Sequence, residues 1–209
     1  MLGKCLILLL FIGSNSVLAD QILIDDLSSY LYLPPPKVTL TADDEYKLEK
    51  GHYILKEISV KHEPTHLIIF RVQASKQDIW KTITNYPAYP NYIKNVKKTN
   101  VYQHGDNHYY VEFGLSHWLL GKYTYFVKHY LSDDSWMKWT LDPSKQSDFS
   151  LSLGYWQVLP VKQNLNSFDI VYSADLRFQQ AKSAFTRNRV IKAGLKQTSF
   201  WVRREAESQ

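Results

Sequence analysis

The sequence contains seven histidines, and two pairs of them have the four-residue spacing of a helical metal site. A proline separates His62 from His66, however, and a glycine separates His104 from His108. Both segments therefore predict turns, whereas two metal ligands at this spacing share one face only in a helix. We expect no metal site, and we interpret these four histidines as solvated turn residues.

Motifs for nucleophilic catalysis and for phosphate binding are also missing from the sequence. It has no G-x-S-x-G elbow, and its eight glycines are dispersed rather than clustered in a loop. The single cysteine, Cys5, permits no intramolecular disulfide and no cysteine-based metal centre. Acid–base catalysis needs only one or two buried polar groups, which sequence periodicity neither reveals nor excludes. We expect no cofactor.

Residues 1–19 are predicted to be a cleaved signal peptide. Lys4 supplies the positive charge, an eight-residue apolar run follows it, and Ala19 is the small residue before the cleavage point. The apolar run is too short to span a membrane, which needs roughly 20 residues. An uncleaved anchor is the alternative. We expect a periplasmic or secreted protein whose mature chain contains no cysteine.

The rest of the chain divides into an N-terminal extension, residues 20–50, and one domain, residues 51–209. The extension contains three consecutive prolines, which cannot continue a helix. After them, Thr41 is predicted to cap a short helix that Gly51 can end.

The composition favours a fold rich in strands. Tyrosine, phenylalanine and tryptophan make up 14% of the chain, and such residues suit half-buried pleated surfaces. From His52 to Phe178 apolar and polar residues alternate, apart from a helix that begins after Ser75. From Gln179 to about Glu205 the period is helical. The sequence therefore predicts an α+β fold, in which a long C-terminal helix covers an antiparallel sheet of about seven strands.

Alternation along each strand predicts which side chains face the C-terminal helix, and we call this side of the sheet the inner face. Leu153 and Tyr155, for example, are assigned to the inner face, and Ser152 and Gly154 to the outer one. These rings and aliphatic chains either fill a core or line a pocket, and the sequence leaves both possibilities open. The candidate ligand-cavity residues are Val111, Phe113, Tyr123, Tyr125, Met137, Trp139, Leu151, Leu153, Tyr155 and Tyr172 from the sheet, with Ile191 and Leu195 from the helix.

One titratable residue falls on the same face. His129 is in register with Tyr123 and Tyr125, so its side chain would point inward. We favour a histidine at a strand end, near solvent, over an acid–base group. Asp175 lies on the face opposite Leu176 and would point outward.

Basic residues form a second stripe on the C-terminal helix, made of Lys182, Arg189, Lys192, Lys196 and Arg203. A solvated face is the simpler interpretation, and contact with an anionic membrane is the alternative, since each basic residue near such a surface contributes about 1 kcal/mol. The net charge of +5 would also suit nucleic acid. Because export is predicted, we expect no nucleic-acid partner, and we expect a monomer.

Two aromatic motifs carry a family resemblance. One is a helix with Trp80 that leads into Asn85-Tyr86 and Tyr89-Pro90 steps and then into a strand, and the other is the Gly154-Tyr155-Trp156 step. Together with the order of elements, they resemble the START-like, or Bet v 1-like (SRPBCC), superfamily. The similar branch is that of polyketide cyclase/dehydrase and coenzyme-Q-binding START-like proteins. The segment before Tyr53 is similar to an extension found on exported bacterial members.

The resemblance implies a helix-grip fold with a cavity between a curved sheet and the C-terminal helix. It further implies the binding or carriage of a hydrophobic small molecule or lipid in that cavity. The alternative it implies is a cyclase/dehydrase-type enzyme, in which a cavity Tyr or His acts on a polyketide-like or aromatic substrate. A third possibility is an interaction module whose cavity is closed.

Overall fold

A computed structural model describes residues 27, 29–59, 65–117, 121–133, 135–162, 164–179 and 183–209. The predicted signal peptide, His62 and Lys182 lie outside the described residues. Four α-helices are described after residue 40: α1 (Ala42–Glu49), α2 (Lys76–Ile83), α3 (Tyr89–Tyr92) and α4 (Ala184–Glu207), with a 3₁₀ turn at Tyr86–Ala88.

Eight strands form one antiparallel sheet, as the alternation predicted, with one strand more than expected. Their order is β1-β2-β8-β7-β6-β5-β4-β3, so the sheet is not closed into a barrel, and α4 packs along its concave side. The strands are β1 (Ile54–Glu57), β2 (His66–Gln73), β3 (Val96–His104), β4 (His108–His117), β5 (Gly121–Ser132), β6 (Trp136–Leu141), β7 (Phe149–Val161) and β8 (Asn164–Phe178).

The predicted helix caps are confirmed. The Thr41 hydroxyl accepts a hydrogen bond from the Asp44 backbone N–H, and the Asp44 carboxylate accepts one from the Thr41 N–H. This capping box satisfies two backbone donors at the start of α1. Ser75 caps α2 by accepting from the Asp78 N–H. Gly51, just after α1, has a φ of +75°, which glycine adopts without steric cost.

The N-terminal extension covers the outer face of the sheet. Leu48 of α1 packs in one buried cluster with Leu67 and Tyr155, against Val38 and Leu40. Ion pairs support this packing. Arg71 on β2 pairs with both Asp169 on β8 (2.7 Å) and Glu45 on α1 (2.8 Å). The extension therefore belongs to the folded unit, because it buries apolar surface that the sheet would otherwise expose.

A β-bulge at the start of β7 decides which side chains of this strand face inward. Phe149 pairs with Phe178 on β8, but Leu151 pairs with the adjacent residue, Arg177. Two residues of β7 therefore advance against one of β8, with Ser150 as the extra residue. Because strand side chains alternate with period two, one extra residue moves all following side chains to the other face.

The inner-face assignment of Leu151, Leu153 and Tyr155 is therefore wrong. Tyr155 is fully buried, but in the outer cluster beneath α1. Their neighbours Ser152, Gly154 and Trp156 pair with Leu176, Ala174 and Tyr172, which lie on the inner face of β8 as predicted.

Candidate functional site

A cavity of about 160 Å³ lies between the inner face of the sheet and α4. Strand side chains form its floor, and the first half of α4 forms its roof. Most of the lining is apolar or aromatic, which is typical of small-molecule sites. The structure brings six of the sequence-predicted candidates together here: Phe113, Tyr125, Trp139, Tyr172, Ile191 and Leu195.

The other candidates lie outside the cavity lining. Val111 and Met137 are fully buried in the adjoining core, on the predicted face. Tyr123 stacks on Phe149, with ring centroids 5.4 Å apart, and closes the packing beside the cavity. Leu151, Leu153 and Tyr155 fall on the other side of β7, because of the bulge.

The aromatic rings of the cavity floor lie close against the backbone of the neighbouring strand, which fixes their position. Trp139 on β6 is the cross-strand partner of Gly154 on β7. A Cβ atom at position 154 would collide with the Trp139 ring and with the Ser173 carbonyl oxygen, so only glycine lets the indole lie flat on the strand. Next to it, Trp156 and Tyr172 stack with centroids 3.8 Å apart. The floor is therefore a layer of fixed aromatic surfaces.

The partly exposed lining residues mark the mouth of the cavity. They come from the strands and their ends and from one side of α4, and the remaining lining is mostly buried. Gly194 contributes no side chain at this point, and a Cβ there would meet nothing within 4 Å. The partly exposed lining residues are Asn95, Leu115, Tyr125, Tyr172, Ala174, Leu176, Val190, Gly194 and Gln197.

His129 lies in the deep part of the cavity, and the expectation of a histidine near solvent is wrong. Only 5% of its surface is exposed, because the turn after α2 packs Tyr86 against it, with ring centroids 5.2 Å apart. Burial lowers the pKa of His129 to about 3, against a smaller opposing effect of its hydrogen bond to the Tyr109 backbone. The imidazole is therefore neutral at physiological pH.

Two tyrosines of the cavity lining are neutral as well. Tyr172 hydrogen-bonds Thr198 of α4, and burial raises the pKa of Tyr172 to about 12. Burial also raises the pKa of Tyr125. Among the described lining residues there is one acid, Asp175, and no lysine or arginine. Asp175 lies 3.8 Å from the Arg177 guanidinium. The site can orient a ligand by hydrogen bonds but offers no buried positive charge.

These properties suit binding better than proton transfer. A general acid or base works best with a pKa near the working pH, and those of His129 and Tyr172 lie far to either side of it. Within the described parts of the chain, no group of three or more His, Cys, Asp or Glu side chains could hold a metal ion.

The basic stripe on α4 is partly engaged with the rest of the protein. Arg203 donates to the backbone oxygens of Arg71 (2.9 Å) and Gly51 (2.7 Å) and stacks 4.2 Å from the Tyr53 ring. Lys192 pairs with Glu57 at 2.8 Å. Arg189 and Lys196 are exposed. No helix of the described residues is long and apolar enough to cross a membrane.

Comparison with solved structures identifies the fold as START-like. A START superfamily protein from Mycobacterium smegmatis has a TM-score of 0.56 at 13% identity, covering 76% of this chain and 99% of that one. A STAR-related lipid transfer protein from Xanthomonas axonopodis has a TM-score of 0.57 at 14% identity, covering 73% and 97%. The Zhui aromatase/cyclase from a Streptomyces species has a TM-score of 0.53 at 10% identity, covering 75% and 93%.

The sequence itself matches no family model and no curated protein. At these low identities the structural similarity shows the fold alone. The chain has the helix-grip fold of START-like proteins, and this fold hosts both a lipid transfer protein and an aromatase/cyclase. Its function must be argued from the cavity.

Proposed function

We propose that this protein binds and carries a hydrophobic small molecule or lipid in the cavity between its sheet and α4. The observation that carries this proposal is the cavity itself: its floor is made of fixed aromatic surfaces, and its polar groups are few, with Asp175 as the one acid among the described lining residues. The similarity to a lipid transfer protein supports the same class of function.

The volume limits what can enter without movement. Ligand pockets for drug-sized molecules measure roughly 300–1,000 Å³, whereas this cavity measures about 160 Å³. An engineered apolar cavity of roughly 150 Å³ accepts benzene. A ligand with one ring or a short chain therefore fits as the cavity stands, and a larger lipid requires α4 to move away from the sheet.

Native mass spectrometry of protein purified without detergent tests the proposal. We expect a co-purifying small molecule or, after addition, uptake of a fluorescent hydrophobic probe into the cavity. Replacing Trp139 with phenylalanine should change probe affinity at least threefold, since the indole forms part of the floor. The matched control is Trp136→Phe, on the same strand but outside the lining, which should leave affinity unchanged.

The outcome also separates the remaining readings. If Trp139→Phe leaves probe binding unchanged and no ligand co-purifies, the rings are core packing and the protein is an interaction module. If the bound molecule is released chemically altered, the protein is a cyclase/dehydrase-type enzyme. The weakly basic His129 disfavours that second result.

We also propose export and contact with an anionic membrane. Support for the contact comes from Phe185 and Phe200, which are 76% and 60% exposed and share one face of α4 with Arg189 and Lys196. Exposed aromatic and basic side chains on one helix face suit an anionic lipid surface. This face adjoins the cavity mouth. Support for export is the N-terminal pattern around Lys4 and Ala19.

Vesicle co-sedimentation tests the membrane contact. Binding to vesicles containing anionic phosphatidylglycerol should fall about tenfold or more in the double variant Arg189→Glu, Lys196→Glu, because four units of charge change. The control, Lys50→Glu with Lys162→Glu, makes the same change of charge outside the α4 face that carries Phe185 and Phe200, and should bind nearly as the parent does. Equal loss in both would show an effect of net charge only. N-terminal sequencing of the mature protein should begin at Asp20.

A further inference from the structure

Two side chains of the cavity lining have a polar atom that lacks a hydrogen-bond partner among the residues that the structure describes. The two atoms are Nδ1 of His129 and the hydroxyl oxygen of Ser152, in side chains 5% and 1% exposed. Buried polar atoms are nearly always hydrogen-bonded, to protein or to an ordered molecule. Both atoms belong to side chains that line one apolar cavity, and neither atom is itself open to solvent. We infer that a ligand satisfies one of them when it enters the cavity and shifts the packing around it.

The two atoms are too far apart to satisfy each other. His129 on β5 is opposite Trp139 on β6, and Trp139 is opposite Gly154 on β7. Ser152 is thus two strands away from His129 and two residues along, a separation of about 12 Å between Cα atoms from ordinary strand spacings. Ser152 pairs with the partly exposed Leu176 and lies nearer the mouth. His129 lies deeper.

The free atom of His129 is an acceptor. The hydrogen bond between the His129 ring and the Tyr109 backbone acts to raise the pKa of His129. A bond with this effect favours the protonated ring, so the imidazole N–H donates it and the Tyr109 carbonyl oxygen accepts it. Nδ1 is the nitrogen without a partner, and the bond to Tyr109 therefore occupies Nε2. In a neutral imidazole the second nitrogen then carries a lone pair. A group that donates a hydrogen bond can satisfy it.

The charges of the lining residues restrict the chemical class of the ligand further. An anionic group has no proton to donate to Nδ1, and the described lining offers no lysine or arginine to balance its charge. A cationic group would lack a carboxylate in the deep part, since Asp175 pairs with Arg177. A hydroxyl is uncharged and donates one hydrogen bond, and the rings of Tyr86 and Trp139 flank His129 on its apolar sides.

We propose that the ligand is an uncharged, ring-sized apolar molecule with a hydroxyl group, and that this hydroxyl donates a hydrogen bond to Nδ1 of His129. His129 is then a specificity-determining residue, which selects an alcohol or phenol over a hydrocarbon or a carboxylate. The inference rests on the proposed function, because it needs the cavity to bind a ligand.

Three probes of nearly equal size test the inference by calorimetry at pH 7.5: 4-ethylphenol, ethylbenzene and the 4-ethylbenzoate anion. We expect 4-ethylphenol to bind about tenfold more tightly than ethylbenzene, since a buried acceptor left unpaired disfavours the hydrocarbon. The anion should bind weakest of the three. In His129→Phe the phenol should lose its preference, whereas His129→Gln, which keeps an acceptor, should retain part of it.

The control variant is Ser199→Ala, which removes a buried hydroxyl outside the cavity lining and should leave the tenfold preference unchanged within about twofold. Ser152→Ala, in the lining, tests the competing possibility that Ser152 holds the ligand hydroxyl. Thermal melting checks that each variant folds. A second measurement needs no variant: the ¹⁵N resonance of the unprotonated His129 nitrogen should move upfield when 4-ethylphenol is added and stay in place with ethylbenzene.

Different results would overturn the two proposals. Equal binding of phenol and hydrocarbon, tightest binding of the anion, or loss of the preference in Ser152→Ala but not in His129→Phe would overturn the role of His129 while leaving a binding cavity. Failure of all three probes to bind, with no ligand seen by native mass spectrometry, would overturn the proposed function itself.

Discussion

Replacing Gly154 with alanine should destabilise the protein by about 3 kcal/mol and should also reshape the cavity. The added Cβ would collide with the Trp139 ring on one side and the Ser173 carbonyl oxygen on the other. The backbone oxygen belongs to the β7–β8 pairing and cannot move without breaking it, so the indole must rise into the cavity. Denaturant unfolding should show the loss of stability, and probe titration a loss of affinity.

The matched control for this substitution is Gly194→Ala. Gly194 lies in α4 at the cavity mouth, and a Cβ there meets nothing within 4 Å. Alanine favours the helix by roughly 0.8–1 kcal/mol over glycine, so this variant should be more stable than the parent. If Gly154→Ala were as stable as the parent, then the contact of Trp139 with β7 would not position the floor of the cavity.

Acid should destabilise the protein through His129, beginning well above the pH at which carboxylates titrate. The pKa of this imidazole is about 3 in the folded protein and roughly 6.5 in the unfolded chain. Between these values the unfolded chain binds the extra proton, so the free energy of unfolding falls as the pH falls. The loss should approach about 1.4 kcal/mol per pH unit below pH 6.5, and should end near pH 3.

The same measurement on His129→Phe isolates this contribution. Its free energy of unfolding should depend less on pH between 6.5 and 4 than that of the parent, and the two curves should differ most at the acid end. The pKa of Asp44 is lowered to about 2 by Lys56 and the Thr41 backbone. Asp44 therefore contributes to the pH dependence of the free energy of unfolding only below about pH 4. Parallel curves over the whole range would show that His129 is hydrated and titrates normally.

Local patterns predicted most of the fold. Thr41 and Ser75 cap helices because the side-chain oxygen reaches the nearby backbone N–H groups, a contact settled within four residues. The strands follow from alternation, and the inner face of β8 is as predicted. Such features depend on neighbours in sequence, so one sequence suffices to recognise them.

The errors come from interactions that no local pattern contains. Ser150 looks like any other polar residue in an alternating strand, and its bulge is visible only in the pairing with β8. His129 stands near the end of β5, where solvent is the ordinary surrounding, yet the turn after α2 folds back and places Tyr86 on it. The engagement of Arg203 similarly depends on Gly51, 152 positions away in the chain.

Whether the rings fill a core or line a pocket also lay beyond the sequence. Phe113, Tyr125 and Met137 all occupy the predicted face, but only the first two line the cavity. The difference depends on how far α4 stands from each part of the floor. That distance is set by packing between elements far apart in the chain.

The bulge at Ser150 makes the ligand-facing surface tolerant of one change in chain length. Because Ser150 is the extra residue, deletion of its codon would give a regular pairing with β8, in which Ser152 and Trp156 still face the ligand and Leu153 and Tyr155 still face away. A one-residue deletion or insertion farther along β7 that no bulge absorbs would exchange the two sets, because strand side chains alternate with period two. Among descendants of such a gene, loss of residue 150 would therefore preserve binding preferences, whereas the same loss a few codons later would change them in one step.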